Sequence, residues 1–295
     1  QSNNLVSVYE YGVWTEQTGS GSKNWNCIAS SADGVKLAAV VYGGYIYTST
    51  DSGASWIEQT SAGSKNWASI ASSADGTKLV AGDKSGYIYT STDSGASWIE
   101  QTSLGSKNWR SIASSADGTK LAACQYPGYI YTSTDSGASW IEQTSLGSKN
   151  WYSIASSADG TKLAAGVAGG YIYTSTDSGN NWTKQTNAGS RSWRSIASSA
   201  DGAKLAAVIN NNYIYTSTDS GNNWTKQTNA GSRFWISIAS SSDGTKLAAM
   251  ANPDYIYIST DSGANWTKQT NAEDRAWGSI ASSSNGTKLA AGVYY

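Results

Sequence analysis

Two series of tryptophans that each step by 42 residues, four short strand-like segments in every step, and seven such steps in 295 residues predict an all-β, seven-bladed β-propeller. One series runs Trp14, Trp56, Trp98, Trp140, Trp182, Trp224, Trp266. The other runs Trp25, Trp67, Trp109, Trp151, Trp193, Trp235, Trp277, and together they hold all 14 tryptophans. Seven copies of 42 make 294, so one domain over residues 1–295 is expected, with no room for a second.

Four strands are expected in each repeat, bounded by Gly, Asp and Ser turns. Strand A is of the Ser69–Ser73 type, B of the Lys78–Ala81 type, C of the Tyr87–Thr92 type and D of the Ser97–Thr102 type. Helix is disfavoured, because β-branched, aromatic and turn residues dominate and no 3.6-residue apolar stripe appears. Gln1 and Tyr295 both fall at the repeat position of Gly43, inside a B–C loop. Strands A and B near Ser279–Ser283 and Lys288–Val293 should therefore join strands C and D near Asn3–Val8 and Val13–Thr18. One blade built from both ends closes the ring and removes an open sheet edge.

Composition narrows the function. The net charge is −1, which gives no global attraction to nucleic acid or anionic membrane. No apolar run approaches the ~18 residues of a membrane span. Histidine is absent, which removes the commonest metal ligand and the usual neutral-pH acid/base, and no metal or other cofactor is expected. The chain opens at Gln1, as expected of a processed N-terminus or a trimmed one. Cys27 and Cys124 sit in different repeats and at different repeat positions, so they read as small fillers and not as a disulfide.

The segment Ser49-Thr50-Asp51-Ser52-Gly53-Ala54-Ser55-Trp56 recurs with Asp93, Asp135, Asp177, Asp219 and Asp261; the seventh copy, ending at Trp14, has lost the aspartate. It resembles the Asp box, or BNR repeat, Ser/Thr-x-Asp-x-Gly-x-x-Trp, of sialidases, photosystem assembly factors, sorting receptors and many secreted proteins. The resemblance covers nearly the whole chain and implies the propeller fold more firmly than any activity. From the residues themselves, each Asp accepts backbone N–H groups of its own turn, Gly supplies a positive φ, and Trp covers the turn. One carboxylate per turn falls short of the 6–8 oxygens that calcium takes.

Positions that differ between the internal copies are where a ligand site is expected. The A–B turns (Ala74-Asp75-Gly76-Thr77-Lys78 type) and Asp boxes are nearly invariant and should share one face. The D–A and B–C loops share the other. Just after the second-series tryptophan stand Asn26, Ala68, Arg110, Tyr152, Arg194, Ile236 and Gly278. Arg110, Tyr152 and Arg194 fall in consecutive repeats, and two arginines flanking a tyrosine suit a carboxylate, a sulfate or a sugar ring. Tyr42, Tyr126, Asn210 and Asn252 join them as candidates from the B–C loops.

Three further patterns have structural readings. Lys23, Lys65, Lys107, Lys149, Arg191, Arg233 and Arg275 precede the second-series tryptophans by two residues and are expected to lay their stems over those rings. Strand D carries Glu16, Glu58, Glu100 and Glu142 but Lys184, Lys226 and Lys268, in step with a change from the Ile57 type to the Thr183 type. Block duplication explains this, and the segregated signs also make self-association through the rim conceivable. The sequons at Asn181, Asn223, Asn265 and Asn285 arise largely from one repeated Asn-Trp-Thr text.

Enzymatic activity is not expected. Only Arg110 and Arg194 lie outside the repeated cation position, so a sialidase-like arginine triad is lacking. Asp83 and Asp254 lie on distant repeats, whereas a hydrolytic carboxylate pair sits about 5–9.5 Å apart. The expected function is a non-enzymatic, extracellular or cell-surface binding module, lectin-like, on the D–A/B–C face. A structural or protein-interaction role in an extracellular assembly is the alternative, and a glycosidase the third reading.

Overall fold

The computed structural model describes residues 6–10 and 12–294. They form an all-β chain of repeated four-stranded antiparallel blades. In one blade, strands Trp109–Ser114, Leu121–Gln125, Ile130–Ser133 and Ile141–Glu142 lie side by side in chain order. Strand A starts at the second-series tryptophan, or at Lys65 in the blade of Trp67, earlier than expected, and B starts at leucine. Strand D shrinks to Ile99–Gln101 and its equivalents, because the residues before it are taken up by the preceding turn. Several D–A loops add one short 3-10 turn, such as Thr102–Leu104, which the strand pattern does not announce.

Val6–Glu10 pairs with Leu289–Val293 on one side and with Val13–Gln17 on the other, so one blade takes strands from both ends of the chain. The part of the expected strand C before Val6 lies outside the described residues, as does Tyr295.

Neighbouring blades are tied by backbone at both faces. On one, Tyr42 pairs with Asn66, and bridges such as Gly86 to Lys107 and Gly128 to Lys149 link five further B–C loops to the next D–A loop. On the other, Ala32 N–H donates to Ala74 O, Ala74 to Ala116, Ala116 to Ala158, Ala158 to Ala200, Ala200 to Ser242, Ser242 to Ser284, and Ser284 back to Ala32.

The core lies between blades. Trp67 packs with Ala38, Val40 and Ile46 of one blade and with Ile70, Leu79 and Tyr89 of its own. Trp25 does the same with Ala281 and Ala290 of the last blade and Leu37 and Ala39 of the first. All seven second-series tryptophans are 0–1 % exposed. Six of them meet a strand-C tyrosine edge-on, at centroid distances of 5.1–5.5 Å. Burial of a large side chain is worth roughly 1.5–3 kcal/mol, so each tryptophan of this repeated ring contributes to holding adjacent blades together. Their indole N–H groups are buried without a hydrogen-bond partner. Cys124 is buried and Cys27 half-buried, both as free thiols. Burial pushes the Cys124 thiol up to about 12, which suits a filler.

Candidate functional site

The turns of the invariant face are closed local units. Ser91 Oγ accepts from Gly95 N–H at 2.9 Å and donates to Asp93 at 2.8 Å. Asp93 accepts Ser97 N–H at 2.9 Å and the Ser97 hydroxyl at 2.5 Å, and the Trp98 indole donates to Gly95 O at 2.9 Å. Asp51, Asp135, Asp177, Asp219 and Asp261 repeat the arrangement. The Ser97 hydroxyl, the Ser97 N–H and the Ser91 hydroxyl hold the Asp93 carboxyl down at about 2. Not only the glycine but also the serine before it has positive φ, 59° at Ser94 against 92° at Gly95, which the sequence pattern does not reveal. Asn181, Asn223 and Asn265, the first three sequon asparagines, stand where Ser97 stands and donate to their Asp at 2.7 Å. Each aspartate is thus used up by its own turn. Among the described residues no three or more His, Cys, Asp or Glu gather as a metal cluster.

The variable positions converge elsewhere. In every blade the A–B register slips between the second-series tryptophan and the residue two beyond it, as at Trp109/Ser111 and Trp151/Ser153. A bulge re-aims the side chain it carries. Here it carries Asn26, Ala68, Arg110, Tyr152, Arg194, Ile236 and Gly278, and all seven line one cavity of about 520 Å³. Behind them, Cys27 and six serines such as Ser69 and Ser111 line it further. Those serines accept the N–H of the next blade's isoleucine, at 3.0 Å for Ser69 and Ile112.

Arg110, Tyr152 and Arg194 meet at this mouth. The Arg110 guanidinium lies 3.9 Å from the Tyr152 ring centroid and donates to its hydroxyl; the Arg194 guanidinium lies 4.6 Å from the same ring. Burial lowers the Arg194 guanidinium below its ordinary value; the Arg110 charge adds to this, while Tyr152 and Tyr294 act against it. No Asp or Glu is among the described lining residues, and neither arginine has an ion-pair partner among the described residues. Ile236 and Phe234 make an apolar sector of the same cavity.

The remaining candidates divide. Asn252 lines the cavity and donates to Trp277 O at 3.4 Å. Tyr126 supports Tyr152 edge-on at 5.8 Å. Tyr126, Tyr42 and Asn210 do not line it; Tyr42 lies 5.7 Å beneath the Lys84 ammonium. Tyr294 is a lining residue missed by the sequence reading. A side chain at Gly278 would meet the Tyr294 Cβ at 2.7 Å, so the glycine leaves the place that Tyr294 takes.

The loop cations need a correction. They cover the strand-C tyrosine and not the nearby tryptophan as expected: Lys65 lies 5.1 Å from the Tyr89 ring, Arg191 4.9 Å from Tyr215 and Arg233 4.5 Å from Tyr257. Lys23 reaches both rings but sits nearer Tyr47, and Arg275 keeps a tryptophan, 5.9 Å from Trp277. The tryptophan lies wholly between blades, so the tyrosine is the face left for a cation. Asp254 is neutralised by Arg233 at 2.6 Å, and Asp83 does not line the cavity.

No protein-family model and no curated protein matches this chain. Solved structures do. A structure described as YCF48 bound to D1 peptide is 15% identical, covers 99% of this chain and 98% of its own, and superposes with a TM-score of 0.69. A GH74 xyloglucanase from Xanthomonas campestris is 14% identical with a TM-score of 0.72; 98% of this chain matches 52% of that one. The Swd1 β-propeller domain from Myceliophteria thermophila is 13% identical over 92% of this chain, with a TM-score of 0.70. At such identities the likeness establishes the fold, and the chain is a β-propeller.

Proposed function

We propose that the chain is a single, closed, seven-bladed propeller of the Asp-box type that works as a non-enzymatic binding module. Its ligand is an anionic group entering the mouth of the axial cavity. The return of the turn-to-turn hydrogen bonds from Ser284 to Ala32, and the packing of strand Trp277–Ser282 against Trp25–Ser30, support closure. The observation that carries the ligand class is the Arg110–Tyr152–Arg194 cluster: two guanidiniums on one ring, partly dehydrated, with no carboxylate beside them among the described lining residues. Such a pair gains most from a carboxylate or sulfate that supplies the missing charge. A saccharide bearing that group, on a protein acting outside the cytoplasm, is the preferred ligand.

Without histidine, and without a carboxylate on the described lining, the cavity offers no general acid/base pair, which supports a binding role. A second reading, an acidic peptide, is favoured by the peptide-bound YCF48 neighbour.

The test is a glycan array run beside an acidic-peptide array, with wild type and an Arg110→Ala, Tyr152→Ala, Arg194→Ala variant. Wild-type binding to acidic glycans that the variant loses is the expected result. Binding confined to peptides selects the second reading. Silence on both arrays, or binding that survives the triple substitution, overturns the site.

A further inference from the structure

Six outer strands fall into two sectors of the rim; the outer strand between them, Val13–Gln17, carries Thr15-Glu16, with Glu16 paired to Arg275. In three successive blades strand D carries Ile57-Glu58, Ile99-Glu100 and Ile141-Glu142; in the next three it carries Thr183-Lys184, Thr225-Lys226 and Thr267-Lys268. These residues are all exposed, and the isoleucines are 61, 65 and 62 % exposed. Strand D ends its sheet in the described blades, so its outer backbone edge has no strand beyond it.

The charges are held in place and point outward from ordered rings. Glu58, Glu100 and Glu142 accept from the hydroxyls of Tyr47, Tyr89 and Tyr131. Lys184, Lys226 and Lys268 sit 3.9, 3.8 and 3.6 Å from the centroids of Tyr171, Tyr213 and Tyr255, with no carboxylate partner among the described residues. Three uncovered isoleucines beside three carboxylates form an apolar, acidic strip. Beside the three lysines stand threonines.

We propose that the Ile–Glu sector of one copy docks against the Thr–Lys sector of a second copy, so that the chain associates head to tail through its rim. Three observations select a second copy as the partner. The two sectors carry opposite charge at equivalent repeat positions. Where one sector has uncovered isoleucines, the equivalent positions of the other carry the smaller threonine. Side chains already fixed against tyrosines lose little freedom on association. A contact that joins two different surfaces leaves a free surface at each end, so it builds rings or open chains and not only dimers. Convex rims meet over a small area, which makes each contact weak, concentration-dependent and sensitive to salt.

The fold itself supplies the variants. Lysine is native at this position in three blades, and the tyrosines that receive it there have counterparts at Tyr45, Tyr87 and Tyr129. An all-basic variant (Glu58→Lys, Glu100→Lys, Glu142→Lys) and an all-acidic one (Lys184→Glu, Lys226→Glu, Lys268→Glu) are therefore expected to fold. Their circular dichroism and urea midpoints check this. Sedimentation velocity over a concentration series at low salt then reads the assembly. Wild type should grow in mass with concentration and return to the monomer at high salt. Each variant alone should stay monomeric, and an equal mixture of the two should associate again. Replacing the three isoleucines by threonine should weaken wild-type association by about tenfold or more. A wild-type chain monomeric at every concentration at low salt, or an all-basic variant that associates as wild type does, overturns the proposal. Neither outcome bears on the cavity, because none of these residues lines it.

Discussion

The turn face and the cavity mouth are made by the same blades, yet they use sequence in opposite ways. At the turn face each of the six repeats that keep the aspartate solves its problem alone: Ser, Asp and Gly within five residues satisfy one another, and Trp covers them. At the mouth no repeat builds anything alone. A backbone bulge presents one side chain per blade, and the chemistry appears only where Arg110, Tyr152 and Arg194 of three blades meet. The first region has little freedom to vary; the second has much, because the bulge holds its geometry whatever side chain it carries. Asn26, the exception, donates to Trp67 O in the next blade at 2.8 Å and helps hold the bulge there.

The sharpest way to break the comparison is to attack what both regions stand on. Trp109→Ala empties a site between two blades and should cost about 3–5 kcal/mol, read as a fall in the urea midpoint at unchanged slope. A smaller loss would mean that the inter-blade core can collapse into the gap.

At the turn face, Ser91→Ala leaves the buried Gly95 N–H without its acceptor and should cost about 1–3 kcal/mol in the same assay. These turns and the A–B turns beside them, where Asp117 accepts from the Ser115 hydroxyl and Thr119 N–H and Asp159 from the Ser157 hydroxyl and Thr161 N–H, predict acid sensitivity. Hydrogen bonds hold Asp93, Asp117 and Asp159 at about 2, below the ordinary carboxylate value of 3.8. Folding is therefore favoured by these groups above pH about 4, and that contribution is lost as pH falls from about 4 towards 2, where the folded carboxylates protonate. Urea midpoints that do not drop across this window would show the carboxylates free of their turns. Asp93→Asn should flatten the slope.

The smallest effects should come from the mouth and from the sequons. Ala68 is buried at the bulge, and Ala68→Asn copies Asn26, whose amide donates to the next blade's tryptophan carbonyl, so it should change stability by no more than about 1 kcal/mol. Asn181→Ser copies Ser97 in its turn and should be equally quiet. A large loss at Ala68 would mean that the bulge depends on its side chain after all, and the contrast between the two regions would fail.

Much of this was legible in the repeat. A period of 42 residues with two tryptophans per step gives the blade, and the Ser-x-Asp-x-Gly-x-x-Trp text gives its turn, because both depend on residues close in the chain. The cluster of Arg110, Tyr152 and Arg194 was found because equal repeat positions in consecutive blades must lie side by side. Other features depend on pairings far apart in sequence. The covering of Tyr47 by Lys23 joins a loop residue to a strand far along the chain, so the nearer Trp25 was the more obvious partner. The place of Tyr294 beside Gly278 depends on where the chain's last described residues pass, and Tyr42, Tyr126 and Asn210 missed the cavity for the same kind of reason.

By itself the sequence determined the all-β repeat, the turn chemistry and the segregation of charge along strand D, since each follows from short-range hydrogen bonding, side-chain period and covalent order. Only the tertiary structure decided that the seven residues after the second-series tryptophans share one cavity. That follows from a slip in register between strands A and B, and a slip of register exists only once two strands have paired.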